Sequence, residues 1–307
     1  MKKSFMTKGA ALLLVLWAIA VISFSVLWLA DLVNLELETG TSEAAGLRTR
    51  QIALSGVAIG LHPLTDPDDT ELLNRDFGGG ERLEVRIRSE GSRLNINRLL
   101  EQQDRITMKN LFMLWGLAND EADSLIDKLI DWVDGDDFRL VSGAERNEYE
   151  ALEIPEAPAN RPFRSVSEME SVIGMDRLAE VKPDWAESFT IFGDGLVDVN
   201  EAPADILQAA TGLSPEMVAG ILQQRTGPDG IEPSEDDFRF EGVEQLAGWL
   251  QSSLLPLPQV MAKLSVDNPV KRIDSRGLVG DRETRISVVA QREGGGPTDN
   301  YLLWEEK

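Results

Sequence analysis

The chain of 307 residues contains no cysteine and a single histidine, His62, beside Pro63 in a polar stretch. Without cysteine there is no disulfide framework, no thiolate metal site and no thiol nucleophile. With one histidine, zinc sites built on imidazoles are excluded, and a Ser–His–Asp arrangement has nothing to stand on. We assign His62 no role and read it as a solvated loop residue. Basic residues are scarce: 30 Lys and Arg against 53 Asp and Glu give a formal charge of −23. Nucleic-acid binding depends on neutralising phosphates, and this charge has the wrong sign for it. No GxSxG, P-loop, HExxH or CxxC pattern occurs. These absences point away from an enzyme.

The longest run without charge lies at the start. Residues 1–9, MKKSFMTKG, carry three lysines; Ala10 to Ala30 then carry no charge at all. Twenty-one helical residues at 1.5 Å each span a hydrocarbon core of about 30 Å. Lysines before the run, with Asp31, Glu36, Glu38 and Glu43 after it, place the N-terminus in the cytoplasm and the rest outside. Three readings fit: a cleaved secretory signal, a plain single-pass anchor, or a short basic leader removed ahead of an apolar run that stays. The run is longer than a signal's apolar region. Lys8-Gly9-Ala10-Ala11-Leu12 resembles a prepilin leader cut after Gly9.

Beyond the span the helical pattern continues to about Leu61, with Gly40 and Gly46 as soft points. Residues 62–80 are rich in Pro, Asp and Gly and read as a loop. Leu83, Val85 and Ile87 alternate with Glu84, Arg86 and Arg88, the period of a half-buried strand. Leu94 and Ile96 suggest a returning strand, so a hairpin over 83–97 is expected. A helical block follows. Helices are expected around 106–114, from Asn119 or Asp120 to Val133, after the Ser165–Glu168 capping box, after Pro203, and from Ser214 to Arg225. Period two returns at Leu264 and Val266, at Ile286, Val288 and Ala290, and at Tyr301 to Trp304.

The fold expected is α+β: a long N-terminal helix on an antiparallel sheet, with a large α-helical insertion of helix-hairpin-helix or SAM-like type. Its parts are a leader at 1–9, a transmembrane helix at 10–30, an α/β domain from 31–97 and 262–307, and the insertion at 98–261. The insertion shows a short internal echo. Gly91–Asn97 resembles Gly195–Asn200, and Trp115–Asp120 resembles Thr211–Glu216. Gly212-Leu213 between helices resembles a helix-hairpin-helix turn. Only Arg225 among nearby residues is basic, so the turn is read as packing rather than DNA binding.

The most specific soluble feature is Asp131-Trp132-Val133-Asp134-Gly135-Asp136-Asp137, followed by Glu145. Carboxylates this dense repel one another unless solvated or bridged by a cation. Calcium takes six to eight oxygens from flexible acidic loops. Asp134, Asp136 and Glu145 match positions 1, 3 and 12 of an EF-hand, but Phe138 and Arg139 stand where a ligand and Gly belong. It is therefore not an EF-hand, and two readings stand: a calcium site of another kind, using Asp134, Asp136, Asp137 and Glu145, or a solvated acidic turn capping the helix. The acidic stretches at 66–71 and 232–237 are read as solvated loops.

The leader, DWVDGDD with GAERNEY downstream, RPFRSVSEME (Arg161–Glu170) and DVNEAP (Asp198–Pro203) together resemble the general secretion pathway protein K family, the K-type minor pseudopilins of type II secretion. Pilin-like subunits usually carry Glu at mature position five; here that position is Leu14, a departure typical of the K-type. The resemblance implies a tip subunit of the pseudopilus, anchored in the inner membrane with a periplasmic soluble part. It implies assembly with I- and J-type minor pseudopilins to initiate the pseudopilus and support export across the outer membrane. It implies cleavage after Gly9 and methylation of Ala10 by a prepilin peptidase, and calcium in the α-domain. The competing expectation is a single-pass envelope protein whose helix-hairpin-helix units bind a partner.

Overall fold

The computed structural model describes residues 5–154, 156–230, 237–246, 257–291 and 300–307. Helix α1 (Phe5–Leu61) is continuous through Gly40 and Gly46. At 1.5 Å per residue it is about 85 Å long. Among the described residues it is the one helix long and apolar enough to cross a membrane, over Leu12–Leu29. Every side chain of that stretch is exposed.

The C-terminal quarter of α1 lies on a five-stranded sheet. In chain order the elements up to the sheet are α2 (Thr70–Leu73), β1 (Asn74–Gly78) and β2 (Glu81–Ser89). After a single 3-10 turn come β3 (Leu94–Asn95), α3 (Ile96–Glu101), α4 (Arg105–Leu114), α5 (Asn119–Val133) and α6 (Arg146–Ala151). Then follow α7 (Met175–Val181), β4 (Phe189–Thr190), β5 (Val197–Asp198), α8 (Ala204–Thr211) and α9 (Pro215–Arg225). The chain closes with β6 (Leu264–Ser265), β7 (Val270–Val279), β8 (Arg282–Gln291) and β9 (Asn300–Glu306). The sheet order is β1-β2-β7-β8-β9, and every neighbouring pair is antiparallel.

Period two puts Leu83, Val85 and Ile87 of β2, Ile273 of β7, and Ile286, Val288 and Ala290 of β8 beneath α1. The helix answers with Ile52, Ala53 and Val57, a stripe at helical spacing. Close contact is possible because glycines sit where a Cβ would not fit. A Cβ on Gly56 would lie 2.2 Å from Ser275 Oγ, and one on Gly277 would lie 2.1 Å from the Thr49 carbonyl oxygen. Ser275 Oγ donates to the Ala53 carbonyl at 2.7 Å, tying β7 to the helix backbone.

Two sequence expectations are corrected here. The hairpin over 83–97 does not form. β2 pairs with β1 and β7, while Leu94-Asn95 pairs in parallel with Phe189-Thr190. The chain turns away because Ser89 donates its N–H to Glu201 at 2.6 Å, and Gly91 is buried against Asp198, Leu196 and Asn268. Ile96 opens a helix, with Asn95 as its cap accepting from Arg98 N–H. The central strand β7 and the edge strand β1 carried no clean apolar alternation, and neither was foreseen. β7 reads Val-Lys-Arg-Ile-Asp-Ser-Arg, with Ser275 and Gly277 on the helix face; every β1 residue is exposed.

A second and larger core runs from Leu94 to Leu264, built mostly by helices with contributions from the loops and short strands between them. Helix α4, left-handed Gly116 (φ 107°) and helix α5 make one pair; α8, left-handed Gly212 (φ 71°) and α9 make another. Ser214 caps α9, accepting from Met217 N–H, with Pro215 in the first turn. The cap of α5 is Ala118 rather than Asn119: Glu121 reaches back to accept the Ala118 N–H. Arg225 donates to the carbonyls of Val199 and Ala202, a packing role.

Candidate metal centre

Helix α5 carries Asp127 and Asp131 one turn apart on one face, and Asp134 is its C-cap, three residues further on. The first two hold the loop that follows. Asp127 accepts from Ser142 N–H at 3.0 Å and from Arg105 at 2.6 Å. Asp131 is fully buried and accepts from Leu140 N–H at 3.1 Å. The loop closes on it so tightly that a Cβ at Gly143 would fall 1.8 Å from Asp131 Oδ2. Glycine is therefore required at 143 for contact rather than for a left-handed backbone.

Glu145 ends the loop and caps α6, its own N–H donating to Glu148 at 2.9 Å. Its side chain is buried, and neither carboxylate oxygen has a hydrogen-bond partner. Asp134 Oδ1 is buried and unpartnered as well. Asp136 and Asp137 are exposed, and Asp136 accepts from Phe138 N–H at 2.8 Å across an Asx turn. Beneath, Trp132 stacks on Phe163 and meets Tyr149 edge-on, which fixes the end of α5 against α6.

The electrostatics match this geometry. Burial, then the charges of Asp131, Asp134, Asp137 and Asp136, raise the Glu145 carboxyl to about 7. Burial, partly offset by the Leu140 N–H, raises Asp131 to about 6, with Asp134 and Asp127 adding to the rise. Burial and Asp136 push Asp134 up too. A carboxyl buried without donors either keeps a proton or meets a cation.

The orphaned oxygens of Glu145 and Asp134 fit an oxygen-only, hard cation. The set lacks the imidazole and thiolate donors that zinc draws on. It has the flexible acidic loop that calcium tolerates and that magnesium, demanding a rigid octahedron, does not favour. Among the described residues no three carboxylates converge into a ready-made cage. Of the four acids named from sequence, Glu145 and Asp134 offer buried free oxygens, while Asp136 and Asp137 line the outer rim. Asp131 and Asp127, the loop's anchors, were not named as site residues; their spacing on α5 with Asp134 was the available signal.

The other sequence candidates fall elsewhere. Gly9 and Ala10 lie within α1. Asp68 is not simply solvated, since it pairs with Arg239 at 2.6 Å. Of the acidic stretch 232–237, only Asp237 lies among the described residues.

Residues 92–180, which contain the acidic loop and both its anchors, match the family model described as type II secretion system (T2SS), protein K. Over this segment the chain is similar to the type II secretion system protein K family. A protein K of Pseudomonas aeruginosa is 32% identical over 171 residues, 52% of this chain and 48% of that protein. A protein K of Pectobacterium carotovorum subsp. carotovorum is 36% identical over 72 residues, 24% of this chain and 21% of that protein. The chain thus spans about half, or less, of the curated protein K relatives it matches. A crystal structure of a GspK-GspI-GspJ complex from the enterotoxigenic Escherichia coli type 2 secretion system shares the fold. Its TM-score is 0.63 at 20% identity, covering 89% of this chain and 98% of that one. In this chain the segment matched by the family model is the helical part that presents the acidic loop, not the sheet.

Proposed function

We propose that this chain is a protein K, a minor pseudopilin of the type II secretion system and a structural subunit rather than an enzyme. It assembles with I- and J-type minor pseudopilins at the pseudopilus tip, where it initiates the filament and supports export across the outer membrane. The observation that carries the reading is fold similarity over 89% of the chain to a GspK solved together with GspI and GspJ. The apolar helix anchors the chain in the inner membrane, lysines inside, with the soluble part in the periplasm. A prepilin peptidase removes residues 1–9 and methylates Ala10. The retained helix then packs among neighbouring pseudopilin helices, an association driven in lipid by packing.

The working division is a leader at 1–9, a transmembrane helix at 10–30, a pilin-like part from 31–97 and 262–307, and an inserted helical domain at 98–261. The insertion suits a terminal position, because its bulk would obstruct a subunit stacked above. Its two helix–glycine–helix pairs serve as packing units of helix-hairpin-helix type.

Calcium is the resident cation of the acidic loop. Glu145 and Asp134 would supply buried oxygens, and Asp136 and Asp137 rim oxygens. When bound, the ion would neutralise carboxylates that otherwise hold protons, and so pin the 134–145 loop to α5. Affinity purification of the tagged chain from its native membranes tests the assembly. I- and J-type pseudopilins should be retained in stoichiometric amounts; their absence under mild solubilisation overturns the reading.

A further inference from the structure

The face of the sheet turned away from α1 is lined with arginine, against the trend of a chain carrying −23. On β2 the outward residues are Arg82, Glu84, Arg86 and Arg88. Register sets Arg88 directly opposite Arg272 of β7, and Arg276 of β7 directly opposite Arg285 of β8. Like charges directly opposed across strands destabilise a sheet. The three central strands thus present six arginines outward against three acids, Glu84, Asp274 and Glu283.

Those acids satisfy only part of the set. Asp274 pairs with Arg88 at 2.6 Å, Glu84 with Arg276 at 2.6 Å, and Glu283 with Arg276 and Arg285. Arg272 turns to the buried Glu90 at 2.7 Å. Arg82 and Arg86 are exposed and have no hydrogen-bond or ion-pair partner among the described residues. Arg86, Arg88, Arg276 and Arg285 line a groove of about 390 Å³ on this face.

We propose that this groove docks an extended acidic segment of a partner polypeptide. Planar guanidinium forks match carboxylates, and Arg rather than Lys fills every basic position here. Arg82 and Arg86 lie about 13 Å apart along β2, the spacing of every fourth side chain on a strand-like partner. Carboxylates four residues apart on an extended segment would therefore meet Arg86 in the groove and Arg82 beside it, passing over Glu84, which is already paired with Arg276. A lipid headgroup is the weaker occupant. The first ion pair between α1 and the sheet, Arg48 with Glu81, lies roughly 28 Å beyond the end of the apolar run at Leu29. That is several screening lengths at physiological ionic strength, each about 8 Å.

The test uses the full chain in nonionic detergent micelles and a fluorescent peptide of alternating Glu and Gly, read by anisotropy at low ionic strength. Saturable binding is expected, weakened roughly tenfold by Arg82→Glu with Arg86→Glu and abolished at high salt. The double variant should gain affinity for the matching Lys-Gly peptide. Should it fail to fold, Arg86→Gln breaks no internal ion pair and should still weaken the Glu-Gly peptide several-fold. No saturable binding, or equal binding by the variants, overturns the proposal. Tighter binding of a charge-matched oligothymidylate, or of anionic vesicles, overturns the choice of a polypeptide.

Discussion

Asn97 holds Phe163 by both backbone polar groups: Nδ2 donates to the Phe163 carbonyl at 2.9 Å, and Oδ1 accepts the Phe163 N–H at 2.9 Å. Asn200 holds Phe240 in the same way, at 2.9 and 2.8 Å. The likeness continues downstream. Glu168 accepts the N–H of Arg164, and Gln245 accepts that of Glu241. Each acceptor sits in a 3-10 helix whose next residue is a fully buried apolar side chain, Met169 or Leu246. The short sequence echo between 91–120 and 195–216 is thus the start of a longer structural repeat, closed each time by an asparagine that staples a distant phenylalanine.

Removing either staple should loosen its own unit. Asn200 lies buried and also donates to the Val266 carbonyl at 2.8 Å, whereas Asn97 is half-buried. Asn200→Ala leaves buried backbone groups unpaired and should cost about 2 kcal/mol, with Asn97→Ala nearer 1 kcal/mol. Denaturant unfolding checks both; equal, negligible losses would contradict the clamp.

Gly143→Ala should damage the acidic loop out of proportion to one methyl group. The new Cβ meets the Asp131 carboxylate, and overpacking at such a site costs about 1–3 kcal/mol. Gly135→Ala, with nothing within 4 Å of its Cβ, is the control and should be near neutral. Thermal unfolding and calcium affinity by calorimetry should fall together for the first variant and for neither in the second.

The pH dependence of the cation-free chain has a definite sign. Glu145 and Asp131 are held above their ordinary values, at about 7 and about 6. Between their unfolded and folded values the native chain binds more protons than the unfolded one, so stability falls as pH rises through that window. The penalty is absent below about pH 4 and complete above about pH 7. With calcium the sign reverses, because the ion takes the ionised form. Melting midpoints measured across this range, with chelator and with excess calcium, should slope in opposite directions; parallel slopes would remove calcium from the loop.

Two glycines of α1 should respond in opposite ways. Gly56→Ala drives a methyl into Ser275, Leu83 and Val85, and should destabilise the helix–sheet interface by about 1–3 kcal/mol. Gly46→Ala meets nothing within 4 Å and should be neutral or slightly stabilising, as alanine favours the helix by about 1 kcal/mol. Amide exchange on β7 and β8 reports the difference.

Much of this was legible in the sequence because the signals were local. The length of α1 to Leu61, the span without charge, the Ser214-Pro215 start of α9, and the alternation in β2 and β8 each follow from residues close in the chain. The pairing of β2 was not legible. Its partner β7 lies some 180 residues on, and the apolar face of β7 is interrupted by Ser275 and Gly277, chosen for contact with α1. The hairpin expected over 83–97 failed for the same reason: Glu201 and Asn268, remote in sequence, redirect the chain at Ser89 and Gly91. At the acidic loop the residue types pointed to an oxygen-ligated cation. The division of labour was hidden, since anchors and free oxygens share one chemistry and differ only in which N–H groups reach them.

The most direct test of the pseudopilin reading is the N-terminal mass and sequence of the protein taken from its native membrane. A chain beginning at N-methylated Ala10 is the predicted result. A chain retaining residues 1–9, or cut after Ala30 so that the apolar run is lost, would contradict it.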